Sequence, residues 1–150
     1  MELIDAVTDF SIEKDIVRPE YDVEFRISED REVFAWGRRL VPYQVYSSLC
    51  CVAYTHEIPI NMEQLTEYSI NHSPYKSHIA VAYTVWNCSD TKGSGRSLIL
   101  ALQKHFSSHA KVNRLVTLSP LTEMAKRFHL SNGARLLSTN PESYNFEYGI

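Results

Sequence analysis

Eight consecutive residues, Ile79-Ala80-Val81-Ala82-Tyr83-Thr84-Val85-Trp86, carry almost no polarity, and that run limits what the chain can become. A strand with one wet face alternates, whereas a near-continuous apolar strand is covered on both faces. The run therefore predicts a central strand over Ala80 to Trp86. The residues after it are equally patterned. Lys92-Gly93-Ser94-Gly95-Arg96 is a basic glycine turn, and from Ser97 the residues Leu98, Ile99, Leu102 and Phe106 recur at helical spacing, with Gln103 and Lys104 facing out. A second strand is predicted from Arg114 to Leu118. Ser119-Pro120 then reads as cap and first residue of another helix, because proline is favoured at the first helical position. Leu121, Met124, Ala125 and Phe128 form that helix's predicted buried face, and Gly133 ends it.

The first third is less regular. Glu2 to Phe10 fits a short helix with Leu3, Ala6, Val7 and Phe10 on one side. Asp22 to Ile27 alternates, which predicts a half-buried strand, and a polar turn at Ser28-Glu29-Asp30-Arg31 precedes Val33-Phe34-Ala35-Trp36. Gly37 to Pro42 reads as a basic loop carrying Arg38 and Arg39. Tyr46 to Tyr54 is a strand by composition, and Pro59 stops pairing soon after it. Asn61 with Gln64 three residues on has the form of a capping box, ahead of a helix carrying Met62 and Leu65 and closed by His72-Ser73-Pro74. Ala134 to Leu137 is a short strand. Tyr144, Phe146 and Tyr148 alternate in a last one, expected near a sheet edge where two copies could pair. The whole reads as one domain, residues 1–150, of α/β or α+β class with a mixed, mostly antiparallel sheet flanked by helices.

Composition narrows the function. A net charge of −3 with 44% hydrophobic and 22% charged residues suits an ordinary globular domain and gives no sign of nucleic-acid binding. No apolar run reaches membrane-spanning length, and Glu2 and Asp5 stand where a secretion signal would be positive, so a cytoplasmic protein is expected. Cys50, Cys51 and Cys88 lack zinc spacing, no metal is expected, and Cys50 and Cys51 should point to opposite faces as reduced thiols.

Two elements can carry chemistry. A strand feeding a glycine turn and a helix presents unpaired amides at the positive end of the helix dipole, which suits a phosphate. Gly93 and Gly95 allow close backbone approach, and Lys92 and Arg96 can add charged bonds to phosphate oxygens. A turn that simply needs glycine would look the same. A P-loop is excluded because no G-K-S/T follows, and a dinucleotide fingerprint lacks its third glycine. The second element is His129, beside Phe128 at the margin of the helix stripe. Its ring can exchange protons near neutral pH, although an idle helix histidine fits the spacing too.

The strand, glycine-turn helix, second strand and the Ala125…Phe128-His129…Gly133 helix together resemble the GNAT superfamily of N-acetyltransferases. That family holds the pyrophosphate of acetyl-CoA on the turn. Gly93 and Gly95 match its small positions, while Asp90 stands where a basic or amide residue is usual. His129 stands where many members carry a tyrosine that protonates the departing CoA sulfur. Val33-Phe34-Ala35, Ala53 to Pro59, Val116-Thr117-Leu118-Ser119-Pro120 and Phe128 to Ala134 are further similar, in order, to the acetyltransferase-like catalytic domain of malonyl-CoA decarboxylase, over roughly residues 31–137. There a histidine and a strand hydroxyl are implicated in protonating the carbanion, roles to which His129 and Thr84 correspond. The helical N-terminal domain of those decarboxylases has no counterpart here.

The resemblance implies a GNAT-like fold that binds acetyl-CoA or another acyl-CoA through Tyr83, Thr84, Val85, Lys92, Gly93, Ser94, Gly95, Arg96, Ser97 and Ser119. The thioester would lie between the two strands, polarised by an amide near Thr84 or Val85. An unidentified amine, on a small molecule or a protein, would attack it. His129 would donate a proton to the sulfur, and Glu57 or His56 would take one from the amine. Ser119 reads equally as a helix cap. Decarboxylation of a malonyl-type thioester and a non-catalytic module that binds a protein partner are the alternatives. Monomer and homodimer both remain open.

Overall fold

The structure, a computed structural model, describes residues 1–40, 42–70, 78–90 and 92–150. In chain order the elements are β1 (Glu2–Ile4), α1 (Val23–Ile27), β2 (Arg31–Arg39), β3 (Gln44–Thr55), α2 (Met62–Ile70), β4 (Ile79–Asn87), α3 (Ser94–Ser107), β5 (Arg114–Thr117), β6 (Ser119–Pro120), α4 (Glu123–Ser131), β7 (Arg135–Thr139) and β8 (Ser143–Tyr148). The strands form one sheet in the order β1-β2-β3-β4-β5-β8-β6, with β7 also on β8. Among the described residues β4 and β5 pair in parallel and the other pairings are antiparallel. This is the mixed, mostly antiparallel α+β architecture that the sequence predicts.

β4 lies in the middle of the sheet and is covered on both sides, which explains its unbroken apolar run. On one face Ala80 and Ala82 meet Leu98, Ile99, Leu102 and Phe106 of α3, the predicted helical stripe, together with Phe34, Cys50 and Val52. On the other face Val81 and Tyr83 join Val33, Ala35, Cys51, Ala53 and Leu65. Cys50 and Cys51 therefore enter opposite cores, as strand alternation requires, and burial raises both thiols above their ordinary range. The α2 start is the expected capping arrangement: Asn61 Oδ1 accepts from the Gln64 amide at 2.8 Å, and Gln64 Oε1 accepts from the Ile60 amide at 2.9 Å. The predicted stop at His72-Ser73-Pro74 lies outside the described residues.

Several local expectations are corrected. Glu2–Ile4 is a strand on β2, because its backbone completes the sheet edge rather than a helix. β2 continues through Arg39. Gly37 permits this, since a Cβ there would lie 2.3 Å from the Val45 carbonyl oxygen across the hairpin. Val23–Ile27 is a helix, not a strand: Asp22 Oδ1 caps it by accepting from the Phe25 amide at 2.8 Å. Ser119–Pro120 is strand β6, and α4 starts later on Thr122, whose hydroxyl accepts from the Ala125 amide at 3.1 Å. β8 is interior, held along one side by β5 and then β6 and along the other by β7, so Tyr144 to Tyr148 is not free to pair with a second copy.

The helix at 23–27 is fixed by a buried ion pair that alternation could not reveal. Arg26 is fully buried and its Nη1 lies 2.5 Å from Asp15 Oδ2. The remaining guanidinium protons go to the carbonyls of Tyr21 and Arg18 and to Cys51 Sγ. Asp15 Oδ1 in turn accepts from the Thr84 hydroxyl at 2.9 Å and from the amides of Val17 and Arg18. The irregular segment 15–26 is thereby tied to β4. Removing one member strands the other charge in the core, so Asp15→Ala should lower the unfolding free energy by about 3–5 kcal/mol in a urea titration. A loss below about 1 kcal/mol would contradict this role.

Candidate active site

The β4–β5 ladder stops abruptly. Its last register pair is Ala82 with Thr117, followed by the bond from the Leu118 amide to the Ala82 carbonyl at 2.9 Å. On the other side of β4 the pairing with β3 skips a residue at the same level: Cys51 pairs with Thr84 and Val52 with Ala82, leaving Tyr83 as the extra residue of a bulge. A bulge turns the strand and re-aims its backbone groups. Beyond it the two strands separate around a cavity of about 350 Å³.

Four sources line that cavity: β4 from Ala82 to Asn87, the Leu118-Ser119-Pro120 stretch with Thr122 and with Met124, Ala125, Phe128 and His129 of α4, Lys14, Ile16 and Val17 of the N-terminal segment, and the start of α3. Here α4 departs from expectation. Of the predicted buried face, Phe128 packs against the core while Leu121 and Met124 are exposed, Met124 at 60%; His129 is the buried residue of the helix. Met124, Ala125 and Phe128 form an apolar wall of the cavity. An apolar stripe satisfies the same periodicity whether it faces a core or a groove.

The start of α3 meets the cavity at Gly95. Gly93, with φ of +80°, occupies the left-handed region and provides no side-chain cap, so the first amides of α3 remain available as donors. Gly95 is needed for another reason. A Cβ there would come within 3.2 Å and 3.3 Å of the Phe128 ring, so glycine lets α3 and that ring meet without either being displaced. Ser94 is buried, and its hydroxyl donates to Asn87 Oδ1 at 3.0 Å, while its carbonyl accepts from Ser48 Oγ at 2.9 Å. These bonds fix the helix start to the ends of β3 and β4. Lys92 and Arg96 are exposed beside it, with Arg96 Nη1 3.4 Å from the Ser131 carbonyl. Ser97 is next, half-buried.

His129 is 6% exposed and lines the cavity. Its Nδ1 lies 2.6 Å from the Tyr148 hydroxyl, and its ring packs against Phe146 with centroids 5.2 Å apart. Burial pushes its pKa down to about 4, so the ring is neutral at pH 7. A neutral imidazole has one donor and one acceptor nitrogen. In the tautomer in which the Tyr148 hydroxyl donates to Nδ1, the ring proton sits on Nε2. Tyr148 is a partner that sequence reasoning missed; its strand alternation was visible, but nothing local linked it to a helix 19 residues earlier.

The other predicted residues fare differently. Thr84 lines the cavity, with its hydroxyl proton committed to Asp15. Tyr83 contributes backbone, since its ring is buried edge-on to Phe25 in the core. Val85 lines the cavity as expected. Ser119 lines it too; it is not a helix cap, and its hydroxyl donates to Thr117 Oγ1 at 2.8 Å. The structure does not bring Glu57 to the site. It follows Thr55, which pairs with Ile79 at the opposite end of β4, roughly 16 Å along the strand from Thr84. His56 is there as well, donating from Nδ1 to the Tyr68 carbonyl at 2.8 Å. Lys14, held by the Cys88 carbonyl at 2.9 Å, and Arg18, bonded to the carbonyls of Tyr83 at 3.0 Å and Leu118 at 3.1 Å, arrive from the segment that had no readable pattern.

This arrangement is a GNAT fold, the one shared by GNAT acetyltransferases and the GNAT-like part of malonyl-CoA decarboxylase. No family model and no curated protein matches the sequence itself. Solved structures do. Malonyl-CoA decarboxylase from Agrobacterium vitis superposes with a TM-score of 0.68 at 17% identity, covering 93% of this chain and 56% of the decarboxylase. The chain thus spans little more than half the length of that enzyme. AtaTR bound with acetyl-CoA gives a TM-score of 0.61 at 14% identity, over 97% of this chain and 94% of that one. Arabidopsis thaliana NAA60 in complex with acetyl-CoA gives 0.56 at 15% identity, over 87% and 84%. Among the described residues no cluster suited to a metal ion occurs, and no helix is long and apolar enough to cross a membrane.

The neutral His129 has a thermodynamic signature. Its folded pKa lies below the ordinary value near 6.5, so between those values the unfolded chain binds a proton that the folded one does not. Stability should be complete above about pH 6.5 and fall as the pH drops toward 4, by about 2–4 kcal/mol from this group. Urea titrations at several pH values should show that part of the acid loss missing in His129→Gln; an identical pH dependence in the variant would contradict the burial of a neutral ring.

Proposed function

We propose that the protein is an acyl-CoA-dependent N-acyltransferase that uses acetyl-CoA. The observation that carries the reading is one continuous groove joining the uncapped start of α3 to the neutral ring of His129, with the apolar face of α4 along its side. An acyl-CoA has matching parts in the same order: an anionic pyrophosphate, a largely apolar arm and a thioester. The amides of Gly95 and Arg96, with Lys92, receive the pyrophosphate. The arm runs along Met124, Ala125 and Phe128, and the thioester reaches the bulge of β4.

There the carbonyl oxygen accepts from a backbone amide at Thr84 or Val85 as negative charge develops on it. The amine attacks the carbonyl carbon, the carbon–sulfur bond breaks, and the sulfur leaves carrying the electron pair. His129 Nε2–H hydrogen-bonds the departing sulfur and keeps its own proton, and the proton shed by the attacking nitrogen passes to the sulfur to give the thiol. A ring that is neutral at pH 7 serves here as a donor already in place. Thr84 acts by holding Asp15 and with it the N-terminal wall.

A second reading has its own support. Among the described residues no aspartate or glutamate lines the groove, and Asp15 behind Thr84 is already committed to Arg26 and Thr84, so no carboxylate faces an incoming amine directly. Loss of carbon dioxide from a malonyl-type thioester needs no such base. The carbon–carbon bond breaks, the same amides hold the resulting enolate, and its carbon takes a proton beside His129.

Incubation with acetyl-CoA and a panel of amines, and separately with malonyl-CoA, decides between them. Free thiol with an acylated amine supports transfer, and acetyl-CoA formed from malonyl-CoA supports decarboxylation. Inability to bind any CoA ester would leave a protein-binding module. In whichever reaction runs, His129→Ala should lower kcat by about 10²–10⁴-fold while changing the Kd for acetyl-CoA by less than about threefold. An unchanged kcat removes His129 from the mechanism.

A further inference from the structure

We infer that Arg18 is the positioning residue that keeps the groove open, its guanidinium spanning the parted strands and holding both of their lips. In an unbroken parallel ladder a β4 amide would donate to the Leu118 carbonyl as the next rung after the bond from the Leu118 amide to Ala82. That rung is not formed. The Leu118 carbonyl accepts instead from Arg18 Nη2 at 3.1 Å, and Arg18 Nε donates to the carbonyl of the bulge residue Tyr83 at 3.0 Å. Tyr83 and Leu118 both line the groove, on opposite sides.

The planar guanidinium suits this bridge because two of its donors diverge at a fixed angle; an ammonium offers one compact head and cannot reproduce the fork. The backbone of Arg18 is held from both directions. Its amide donates to Asp15 at 3.2 Å, and its carbonyl accepts from the buried Arg26 at 2.6 Å. Among the described residues Arg18 makes no ion pair, so a half-buried cation is committed to two neutral carbonyls. Desolvating this cation is unfavourable and the nearby charges of Glu20 and Asp15 offset only part of the cost; pinning a segment to the sheet would not require it, since Asp15 and Arg26 already do so.

The inference rests on the groove being the thioester site, and its test separates the two. Arg18→Met retains bulk and removes the donors; Arg18→Lys retains charge and removes the fork. Crystal structures of both variants without ligand should show the lips drawn together, with the Leu118 carbonyl accepting from a β4 amide. By calorimetry, acetyl-CoA should bind at least about 10-fold more weakly to either variant, while 3′-phosphoadenosine diphosphate, the half of the cofactor without the arm, should bind as to the wild type. An unchanged gap overturns the inference, as does full rescue by lysine or an equal loss for both ligands. Wild-type protein that ignores acetyl-CoA would defeat the acyl-CoA reading, and the ligand-free structures would still decide the role of Arg18; if Arg18→Met does not fold, Arg18→Lys decides it.

Discussion

The parting of β4 from β5 is the feature that gives this molecule its shape and its opening. Up to Ala82 and Thr117 the two strands are a regular parallel pair connected by α3 and covered on both faces. One residue later the pairing ends on one side of β4 while a bulge at Tyr83 interrupts it on the other. A sheet interior is a costly place to leave backbone groups without strand partners, because buried amides and carbonyls must be satisfied. Here some are taken over by a guanidinium and others border a cavity. The fold places the helix start, the bulge and a histidine around that opening, and the proposed chemistry derives from their order along it.

The irregular N-terminal segment is organised by polar contacts rather than by hydrophobic periodicity. Asp15 alone accepts from Thr84, Val17, Arg18 and Arg26. A buried charge so fully partnered fixes one geometry, since any slip would leave several donors unpaired. The groove's third wall is then as well defined as its helical one, although only five residues of α1 are helical in this stretch. Stability and site geometry are coupled here, because the residue that anchors the wall to β4 is itself at the bulge.

Much of the framework was legible in the sequence. The apolar run at 79–86, the α3 stripe and the glycine turn each state their structure locally, through period and backbone freedom. The resemblance placed His129 at the groove, which spacing alone did not. The misreadings concern information that lives in three dimensions. Val23, Phe25 and Ile27 alternate as a strand would, but the cap at Asp22 and the burial of Arg26 made a helix. Leu121 and Met124 were read as core along with Phe128, which does pack there, because a pattern cannot tell a core from a groove wall. Glu57 was assigned by plausibility of its charge, and the register of β3 on β4 carries it to the wrong end of the sheet. Arg18 and Tyr148 act through partners 65 and 19 residues away, beyond any local signal.

A crystal structure of the protein soaked with acetyl-CoA would test the role of the parted strands without intermediaries. The pyrophosphate should be seated on the amides of Gly95 and Arg96, the arm should run between β4 and β5, and the sulfur should lie within hydrogen-bond reach of His129 Nε2. Density for the cofactor anywhere else on the surface, or a groove that stays empty at saturating ligand, would contradict the assignment of the groove to an acyl-CoA.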